Sequence, residues 1–162
     1  MKVLSFFKAL IPVYGRPERF RVYLRLREFF RKKKMFFLGK CLKHHFLSKY
    51  GCELGVTAEI SPKTQFMHTT GVVIGDGCLV EEGVKIYSSV VLGRKNIQSE
   101  DDYPKILKNA ILCTGATLLG KITVGENAMI GAQSLVLCDV EPNSLYVGSP
   151  ARKIKELDSQ IE

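Results

Sequence analysis

The chain has 162 residues, enough for one domain with its own hydrophobic core, so its size requires neither a structural metal nor disulfides. Hydrophobic residues make up 46% and charged residues 25% of the chain, which excludes wholesale disorder. No stretch approaches the roughly 18 consecutive apolar residues of a membrane span, and five scattered cysteines without a C-x-x-C pair favour a reducing cytoplasm over a disulfide framework. The net charge of +8 is unevenly distributed, because residues 1–49 carry 14 lysines and arginines against 2 acids, whereas residues 50–162 carry 10 against 14.

The basic first segment, residues 1–50, contains two predicted helices. The spacing of Val22, Leu26 and Phe30 predicts an amphipathic helix over 18–33, and a second helix is predicted over Phe36–Tyr50, ending at Gly51. Three interpretations of this segment are open. Its apolar faces can pack on the rest of the chain or on a sister subunit, its basic and aromatic residues fit an anionic membrane surface, and the same composition occurs in nucleic-acid binders. No nucleic-acid-binding motif accompanies the charge, so we expect no nucleic-acid partner.

From residue 70 onwards, aliphatic residues recur every six positions. This series consists of Ile74, Val80, Ile86, Leu92, Ile106, Leu112, Leu118, Val124, Ile130 and Val136. Small or β-branched residues often stand two places earlier, at Val72, Cys78, Val84, Val90, Ala110, Ala116, Ala128 and Ser134. A six-residue repeat of this kind predicts a parallel β-helix, in which three short strands and three turns close one triangular coil.

The repeat is interrupted once. The spacing between Leu92 and Ile106 is 14 residues instead of 12, and the polar run 94–103 lies between them. We interpret residues at about 94–104 as a loop expelled from the coil, and loops expelled from a repetitive scaffold commonly carry function.

The repeated body resembles the hexapeptide-repeat acyltransferases, and within them the serine acetyltransferase branch. The motifs that carry the resemblance are His68-Thr69-Thr70-Gly71-Val72-Val73-Ile74-Gly75, Val90-Val91-Leu92-Gly93, Tyr103-Pro104-Lys105-Ile106, Gly115-Ala116-Thr117-Leu118-Leu119-Gly120, Ile130-Gly131-Ala132 and Val147-Gly148-Ser149-Pro150-Ala151-Arg152. The resemblance covers about residues 52–155. It implies a mainly β fold, a left-handed parallel β-helix over 51–155. The helical segment 1–50 precedes it and takes no part in the resemblance, because classical serine acetyltransferases carry a much larger helical N-terminal domain, and a tail over 156–162 follows. The resemblance also implies a homotrimer that binds acetyl-CoA in the groove between neighbouring coils.

The resemblance implies a catalytic pair. His68 matches the histidine that acts as general base, taking the proton of an acceptor hydroxyl as its oxygen attacks the thioester. His68 is also the only histidine after residue 45. The acidic residue 15 positions upstream orients that histidine in the family, and Glu53 stands at the matching position. A carboxylate there can accept the imidazole N–H and stabilise the imidazolium.

The resemblance further implies residues for the acyl donor. Gly93, Thr114 and Ala132 match positions that line the pantetheine groove, and Arg152 and Lys153 are candidates for contacts with the phosphates of CoA. We expect no metal, because the γ-type carbonic anhydrases on the same coil need three histidines and the body has one.

The acceptor side departs from the serine enzymes. Met67 stands where they have an aspartate, and Asp102-Tyr103 stands where they have Arg-His, so groups that hold an amino acid's ammonium and carboxylate are missing. Met67 and Tyr103 offer a flat apolar surface with one hydroxyl, which suits a sugar ring.

These departures predict an acetyl-CoA-dependent O-acetyltransferase that acts on a sugar or polysaccharide, of the capsule, exopolysaccharide or lipopolysaccharide type. The alternatives are serine O-acetyltransferase, acetylation of another small molecule such as an antibiotic or simple sugar, and a non-catalytic β-helical scaffold. We expect a cytoplasmic protein with a hydroxyl-bearing small-molecule or glycan acceptor, and with contact at the inner membrane surface through the basic segment.

Overall fold

The structure is a computed structural model that describes residues 17–157 apart from 97 and 100. The first part of the predicted basic segment, residues 1–16, and most of the predicted tail, residues 158–162, lie outside the described residues.

Two helices precede the strands, α1 over Pro17–Lys32 and α2 over Phe36–Tyr50. Pro17 occupies the first turn of α1, where a missing N–H costs nothing. Helix α2 ends because Gly51 adopts the left-handed conformation at φ 60°, and its N–H donates to the carbonyl of Leu47 at 3.1 Å. Both helices were predicted, and their bounds agree within one residue. Neither described helix is long and apolar enough to cross a membrane.

Short strands occupy the body. They are β1 Glu53–Leu54, β2 Glu59–Ile60, β3 Gln65–Phe66, β4 Val73–Ile74, β5 Leu79–Val80, β6 Lys85–Ile86, β7 Val91–Gly93, β8 Lys105–Ile106, β9 Ile111–Leu112, β10 Thr117–Leu119, β11 Thr123–Val124, β12 Met129–Ile130, β13 Leu135–Val136, β14 Ser144–Gly148 and β15 Ala151–Glu156.

The strands form three sheets whose members come from successive coils. Sheet A has the order β1-β4-β7-β10-β13, sheet B the order β2-β5-β8-β11, and sheet C the order β3-β6-β9-β12-β14-β15. All pairs are parallel except β14 with β15, which form an antiparallel hairpin at the C-terminal end. Each turn of the chain therefore contributes one strand to each sheet, and the body is a parallel β-helix, as the six-residue repeat predicts.

The interior of the coil is a stack of the predicted aliphatic residues. All ten members of the six-residue series are at most 1% exposed, and so are the eight small or β-branched residues two places before them. Stacked aliphatic side chains fill a narrow prism densely, so truncating one of them to alanine costs about 2–5 kcal/mol.

The first coil begins before the predicted series. Leu54 and Ile60 are 1% exposed and occupy the same interior positions, and Phe66 is the third member of this coil. The ring of Phe66 is half-buried because the ring of Phe20 from α1 packs against it, with 4.7 Å between the centroids.

Helix α1 is attached to the first coil through Arg27, which is 4% exposed. Its Nη2 donates to the carbonyl oxygens of Gly55 and, at 2.7 Å, of Ala58. Burial lowers the pKa of the guanidinium, and the charge of the adjacent Glu28 carboxylate opposes this shift. Of the three interpretations of the basic segment, packing on the body is therefore confirmed for its described part.

The interruption of the repeat is larger than the spacing suggested. Strand β7 is followed directly by β8. Leu92 of β7 pairs with Leu118 of β10 in the next coil, and Ile106 of β8 pairs with Val80 of β5 in the preceding coil. The described residues between them form no strand, so the spacing of 14 contains a normal step of 6 and an insertion of 8 residues. The expected intervening unit was therefore wrong, and the expelled loop at about 94–104 stays a prediction.

Candidate active site

His68 lies on an enlarged corner of the coil. Six residues, 67–72, connect β3 to β4, whereas four residues make the same connection in each of the next three coils. The two additional residues widen this corner, and Gly71 allows the chain to turn back because it adopts φ 74°. The His68 side chain is exposed, which leaves the imidazole accessible to a reactant.

The same corner carries the candidate CoA residues in later coils. Strand pairing in sheet C aligns Phe66 with Ile86, Ile86 with Leu112, and Leu112 with Ile130. The residues two positions after the last three form one column, which consists of Ser88, Thr114 and Ala132. The N–H of Ser89 donates to the carbonyl of Thr70 as the N–H of Gly115 does to that of Ser88, so Thr70 is in line with this column and His68 stands two residues earlier on the enlarged corner. Ser88 Oγ donates to Thr114 Oγ1 at 3.4 Å, and Thr114 and Ala132 are exposed. An extended ligand lying along this corner would therefore reach from Ala132 and Thr114 towards the enlarged corner that carries His68.

Glu53, the predicted partner of His68, lies on β1 in sheet A and is ion-paired with a lysine. Its Oε1 is 2.8 Å from Nζ of Lys43 on α2. Within the described part of the chain, no hydrogen bond joins Glu53 to His68. Catalytic hydrogen bonds often form only with substrate bound, so the pair stays a prediction.

Asp102, predicted to contact the acceptor, is surrounded by backbone donors of the loop. Its carboxylate accepts the N–H groups of Lys95 at 2.9 Å, Asn96 at 2.6 Å and Lys121 at 2.7 Å. The N–H of Asn96 contributes most to lowering the pKa of this carboxyl, followed by Lys121 and Lys95. The side chain therefore joins the base of the loop to the following coil.

Tyr103 lies at the other end of the loop and packs against the preceding coil. Its half-buried ring covers Gly75 and Gly77, where any Cβ would clash with it. The guanidinium of Arg94 lies 5.4 Å from the ring centroid, within the range of a cation–π contact. Met67, at the His68 corner, is 47% exposed and is the acceptor candidate whose side chain is most available.

The remaining donor-side candidates lie elsewhere. Gly93 ends β7, where the chain leaves sheet A for the loop. Arg152 and Lys153 lie on β15, and Lys153 Nζ is 2.6 Å from Glu141 and 3.4 Å from Glu156, contacts that raise the pKa of its ammonium, the bond to Glu141 most. Arg152 bonds only to the carbonyl of Ala151 in the described part of the chain, so it is the more available cation.

Two residues near the site were missed by sequence reasoning. Tyr87 places its ring centroid 6.2 Å from that of His68, and Lys43 pairs with Glu53. Tyr87 could have been found by counting one coil onwards from Met67, because the two stand at equivalent positions in sheet C. Lys43 could not, because no periodicity relates the helical segment to the coil.

The chemistry available to this corner is proton transfer. No group of three histidine, cysteine or acidic side chains within residues 17–157, leaving out 97 and 100, is placed to hold a metal. The buried thiols of Cys52 and Cys78 are poor nucleophiles, because burial raises the pKa of each to about 12. Imidazole is the side chain that enzymes use most often as a general base.

Comparison with known proteins identifies relatives along most of the chain, although no family model matches it. The serine acetyltransferase of Bacillus pumilus is 36% identical over 137 residues, which are 85% of this chain and 63% of that protein. The crystal structure of serine acetyltransferase from Brucella abortus in complex with coenzyme A is similar with a TM-score of 0.83 and 31% identity, covering 90% of this chain and 58% of that one. Soybean serine acetyltransferase complexed with serine gives a TM-score of 0.77 and 32% identity, covering 82% and 54%. The chain thus spans between about half and two thirds of the length of these relatives.

The predicted sugar or polysaccharide acceptor, and with it a role in polysaccharide biosynthesis, is wrong. The relatives are serine acetyltransferases, which favours the stated alternative of serine O-acetyltransferase. The predicted apolar surface consisted of Met67 and Tyr103. Met67 is exposed, but the half-buried ring of Tyr103 is packed on Gly75 and Gly77, so it does not add an open face to that surface.

The described strands, their three parallel sheets and the likeness to solved structures agree on the left-handed parallel β-helix that the resemblance implied. The chain therefore belongs to the hexapeptide-repeat acyltransferase family and lies in its serine acetyltransferase branch.

Proposed function

We propose that the chain is an acetyl-CoA-dependent serine O-acetyltransferase with His68 as general base. The observation that carries this proposal is the exposed imidazole on the enlarged corner, at the same edge of the coil as Ser88, Thr114 and Ala132. The comparisons support the substrates, since one relative was crystallised with coenzyme A and another with serine.

In the proposed reaction His68 accepts a proton as general base and then donates it as general acid. It takes the proton of the serine hydroxyl as that oxygen forms a bond to the acetyl carbonyl carbon. The carbon–sulfur bond of the thioester then breaks, and the imidazolium returns the proton to the CoA sulfur, so that O-acetylserine and CoA thiol leave. A positioned base of this kind contributes about 10²–10⁴-fold to the rate.

Glu53 is the proposed orienting carboxylate. It lies on β1, where it pairs with Val73 of β4, the residue that follows the enlarged corner, and its carboxylate is ion-paired with Lys43. Rotation away from Lys43 would free an oxygen for the imidazole N–H. Met67 stays the proposed acceptor contact beside His68, because it is exposed at the same corner.

The donor residues support assembly as a homotrimer. Gly93 lies at the edge of sheet A that leads into the loop, whereas Thr114 and Ala132 lie at the opposite edge. Within one chain these residues stand on opposite sides of sheet A. In a cyclic assembly the loop edge of one chain can face the His68 edge of the next, and CoA would lie between them.

The free thiols and the proposed substrates support a cytoplasmic location for the protein. All five cysteines are free, which suits a cytoplasmic enzyme that uses acetyl-CoA. Contact with the inner membrane surface is supported by Phe29, Phe36 and Phe37 on the helices, which are 52%, 47% and 76% exposed.

The test of the function is release of CoA thiol from acetyl-CoA in the presence of serine, threonine, glucose or a soluble polysaccharide. We expect serine to be the preferred acceptor, and we expect His68→Ala to lower kcat/KM by about 100-fold or more. His44→Ala is the matched control, because His44 is exposed on α2, away from the coil corner. Turnover of a sugar without turnover of serine, or retention of activity within about tenfold in His68→Ala, would contradict the proposal.

A further inference from the structure

A groove at the third corner of the coil is lined by positive charge. Its volume is about 420 Å³, and it lies between α1 and the corner that joins sheet B to sheet C. The lining residues are Arg21, Arg25, Pro62, Lys63, Gln65, Glu82, Gly83, Lys108 and Asn109. Four of these are cations and one is an acid, so the groove carries a net charge of about +3 at neutral pH.

The single carboxylate holds the two lysines in place. Glu82 Oε2 is 2.7 Å from Nζ of Lys63, and Glu82 Oε1 is 3.6 Å from Nζ of Lys108. The hydrogen bond from Lys63 contributes most to lowering the pKa of Glu82, so the carboxylate stays charged and keeps the two ammonium groups side by side. One negative charge from the second coil thereby orders two positive ones, which come from the first and third coils.

The two arginines have no acid opposite them. Arg21 and Arg25 are exposed, and in the described part of the chain neither makes an ion pair or hydrogen bond. They are four residues apart on α1, so they project from the same face. The following turn of α1 is bonded to the coil. Glu28 Oε1 accepts the N–H of Ile60 at 3.4 Å, and Arg31 Nη1 is 2.9 Å from Glu59 Oε1. The arginines are thus carried on a helix that is fixed to the coil.

The floor of the groove is also shaped for close approach. Gly83 adopts φ 75°, and a Cβ at this position would clash with the Asn109 side chain that lies over it. A larger residue would therefore fill the base of the groove. Gln65 and Asn109 place amide groups beside the cations.

The groove is distinct from the candidate active site. His68 lies at the corner between sheets C and A, and the loop lies at the corner between sheets A and B. The groove is at the remaining corner, which borders neither edge of sheet A. The proposed acetyl transfer gives these four cations no role.

We infer that this groove binds a multiply charged phosphate group, carried either by a free phosphorylated molecule or by a lipid headgroup. Guanidinium groups bind phosphate oxygens through paired N–H donors, and lysines add charge without fixed geometry. Two arginines on one wall and two lysines on the other are the arrangement that such a group requires.

The test uses inorganic pyrophosphate and lipid vesicles as probes on the full-length protein. Calorimetric titration with pyrophosphate is compared between the wild type and R21Q/R25Q, because glutamine keeps the helix propensity and removes both charges. We expect the double variant to bind at least about tenfold more weakly, since charged hydrogen bonds to phosphate are lost. Sedimentation with phosphatidylcholine vesicles, with and without phosphatidic acid, is measured on the same proteins.

Two matched variants control for net charge and for the CoA phosphates. K32Q/K40Q removes one exposed charge from α1 and one from α2. R152Q/K153Q removes the cations proposed for CoA. Both should bind the probes as the wild type does, and R21Q/R25Q should keep its circular dichroism spectrum and its acetyl transfer rate. Pyrophosphate binding that depends on the arginines assigns the groove to free phosphorylated molecules, and vesicle binding that depends on them assigns it to lipid headgroups. Binding of neither probe, equal weakening in K32Q/K40Q, or loss only in R152Q/K153Q would overturn the inference.

Discussion

Asp102 shows how the contacts of a single residue change the meaning of a motif. Its position before Tyr103 suggested a contact with the acceptor, but its two carboxylate oxygens accept three backbone N–H groups, two from the start of the loop and one, that of Lys121, from the following coil. Charge-assisted hydrogen bonds of this kind are about twice as strong as neutral ones. The residue therefore acts as a clamp that determines where the loop stands.

We expect Asp102→Asn to loosen the loop, because the amide has no negative charge and one acceptor oxygen instead of two. Trypsin can cut after Arg94 and Lys95 within the loop. Cleavage there should become about three- to tenfold faster, as expected when charged hydrogen bonds that restrain local opening are lost. Asp101→Asn is the control, because Asp101 is exposed in the same loop and makes no hydrogen bond or ion pair in the described residues. Equal cleavage rates for the two variants would show that the clamp does not hold the loop.

The same clamp should depend on pH in a defined direction. The folded-state pKa of Asp102 is lowered, so the stabilisation is complete above the ordinary pKa of an aspartate and is lost as pH falls through the lowered value. Wild type and Asp102→Asn should therefore differ at neutral pH and converge in strong acid, where pepsin can replace trypsin as the probe. A difference that persists unchanged into strong acid would contradict this assignment.

At the level of elements, the helical segment forms the end of the coil. Helix α1 supplies Phe20, whose ring packs on Phe66, and Arg27, whose guanidinium satisfies two buried carbonyl groups of the first coil. Helix α2 adds Phe46, which is fully buried beside Phe20 with 5.2 Å between ring centroids. The open end of a β-helix exposes apolar residues and unpaired backbone, and these helices cover both.

We expect Arg27→Met to lower the free energy of unfolding by about 2–4 kcal/mol, because it leaves the carbonyls of Gly55 and Ala58 buried without a donor. Arg25→Met, on the exposed side of the same helix, should change it by less than about 0.5 kcal/mol. The chain has no tryptophan, so urea unfolding is best followed by far-UV circular dichroism at one fixed protein concentration. Coincident transitions for the two variants would show that the arginine is not what joins helix and coil.

The sequence predicts the elements whose interior residues repeat periodically, and it does not predict contacts that leave no repeat. The coils after residue 70 were predicted because each interior position repeats the one six residues earlier, from Ile74 to Val136. The first coil was predicted by the resemblance but not by the six-residue series, because Phe66 is not aliphatic and the enlarged His68 corner shifts the register by two residues before Ile74. The roles of Arg27 and Asp102 were missed because they bond to backbone groups distant in sequence, and such contacts leave no repeat in the chain. His68 was identified by resemblance, and the structure adds its exposure and its neighbours.

At the scale of the whole molecule, the candidate site is divided between two edges of sheet A. The loop and Gly93 stand at one edge, and His68 stands at the other together with Thr114 and Ala132. We propose that a site that needs both edges is completed between two chains. If the proposed homotrimer is cyclic, each of its three interfaces brings the loop edge of one chain to the His68 edge of the next.

This division can be tested by mixing two inactive chains. His68→Ala lacks the base but keeps the loop. Deletion of residues 95–102 removes the loop but keeps the base, and it restores the six-residue step between Leu92 and Ile106. When equal amounts are unfolded together and refolded, about a quarter of the interfaces of a cyclic trimer should combine an intact His68 with an intact loop. The mixture should therefore regain about a quarter of the activity of wild type refolded in the same way.

Each variant refolded alone, and the two variants mixed without unfolding, serve as controls that should stay inactive. Sedimentation equilibrium on the same samples should give the mass of three chains, which separates a failure of assembly from a failure of catalysis. Recovery near a quarter requires that the base and the loop act across an interface, because chains whose sites were complete in themselves would regain nothing on mixing. An inactive mixture of correctly assembled trimers would place the whole site within one chain, and the donor residues at the two edges of sheet A would then need separate roles.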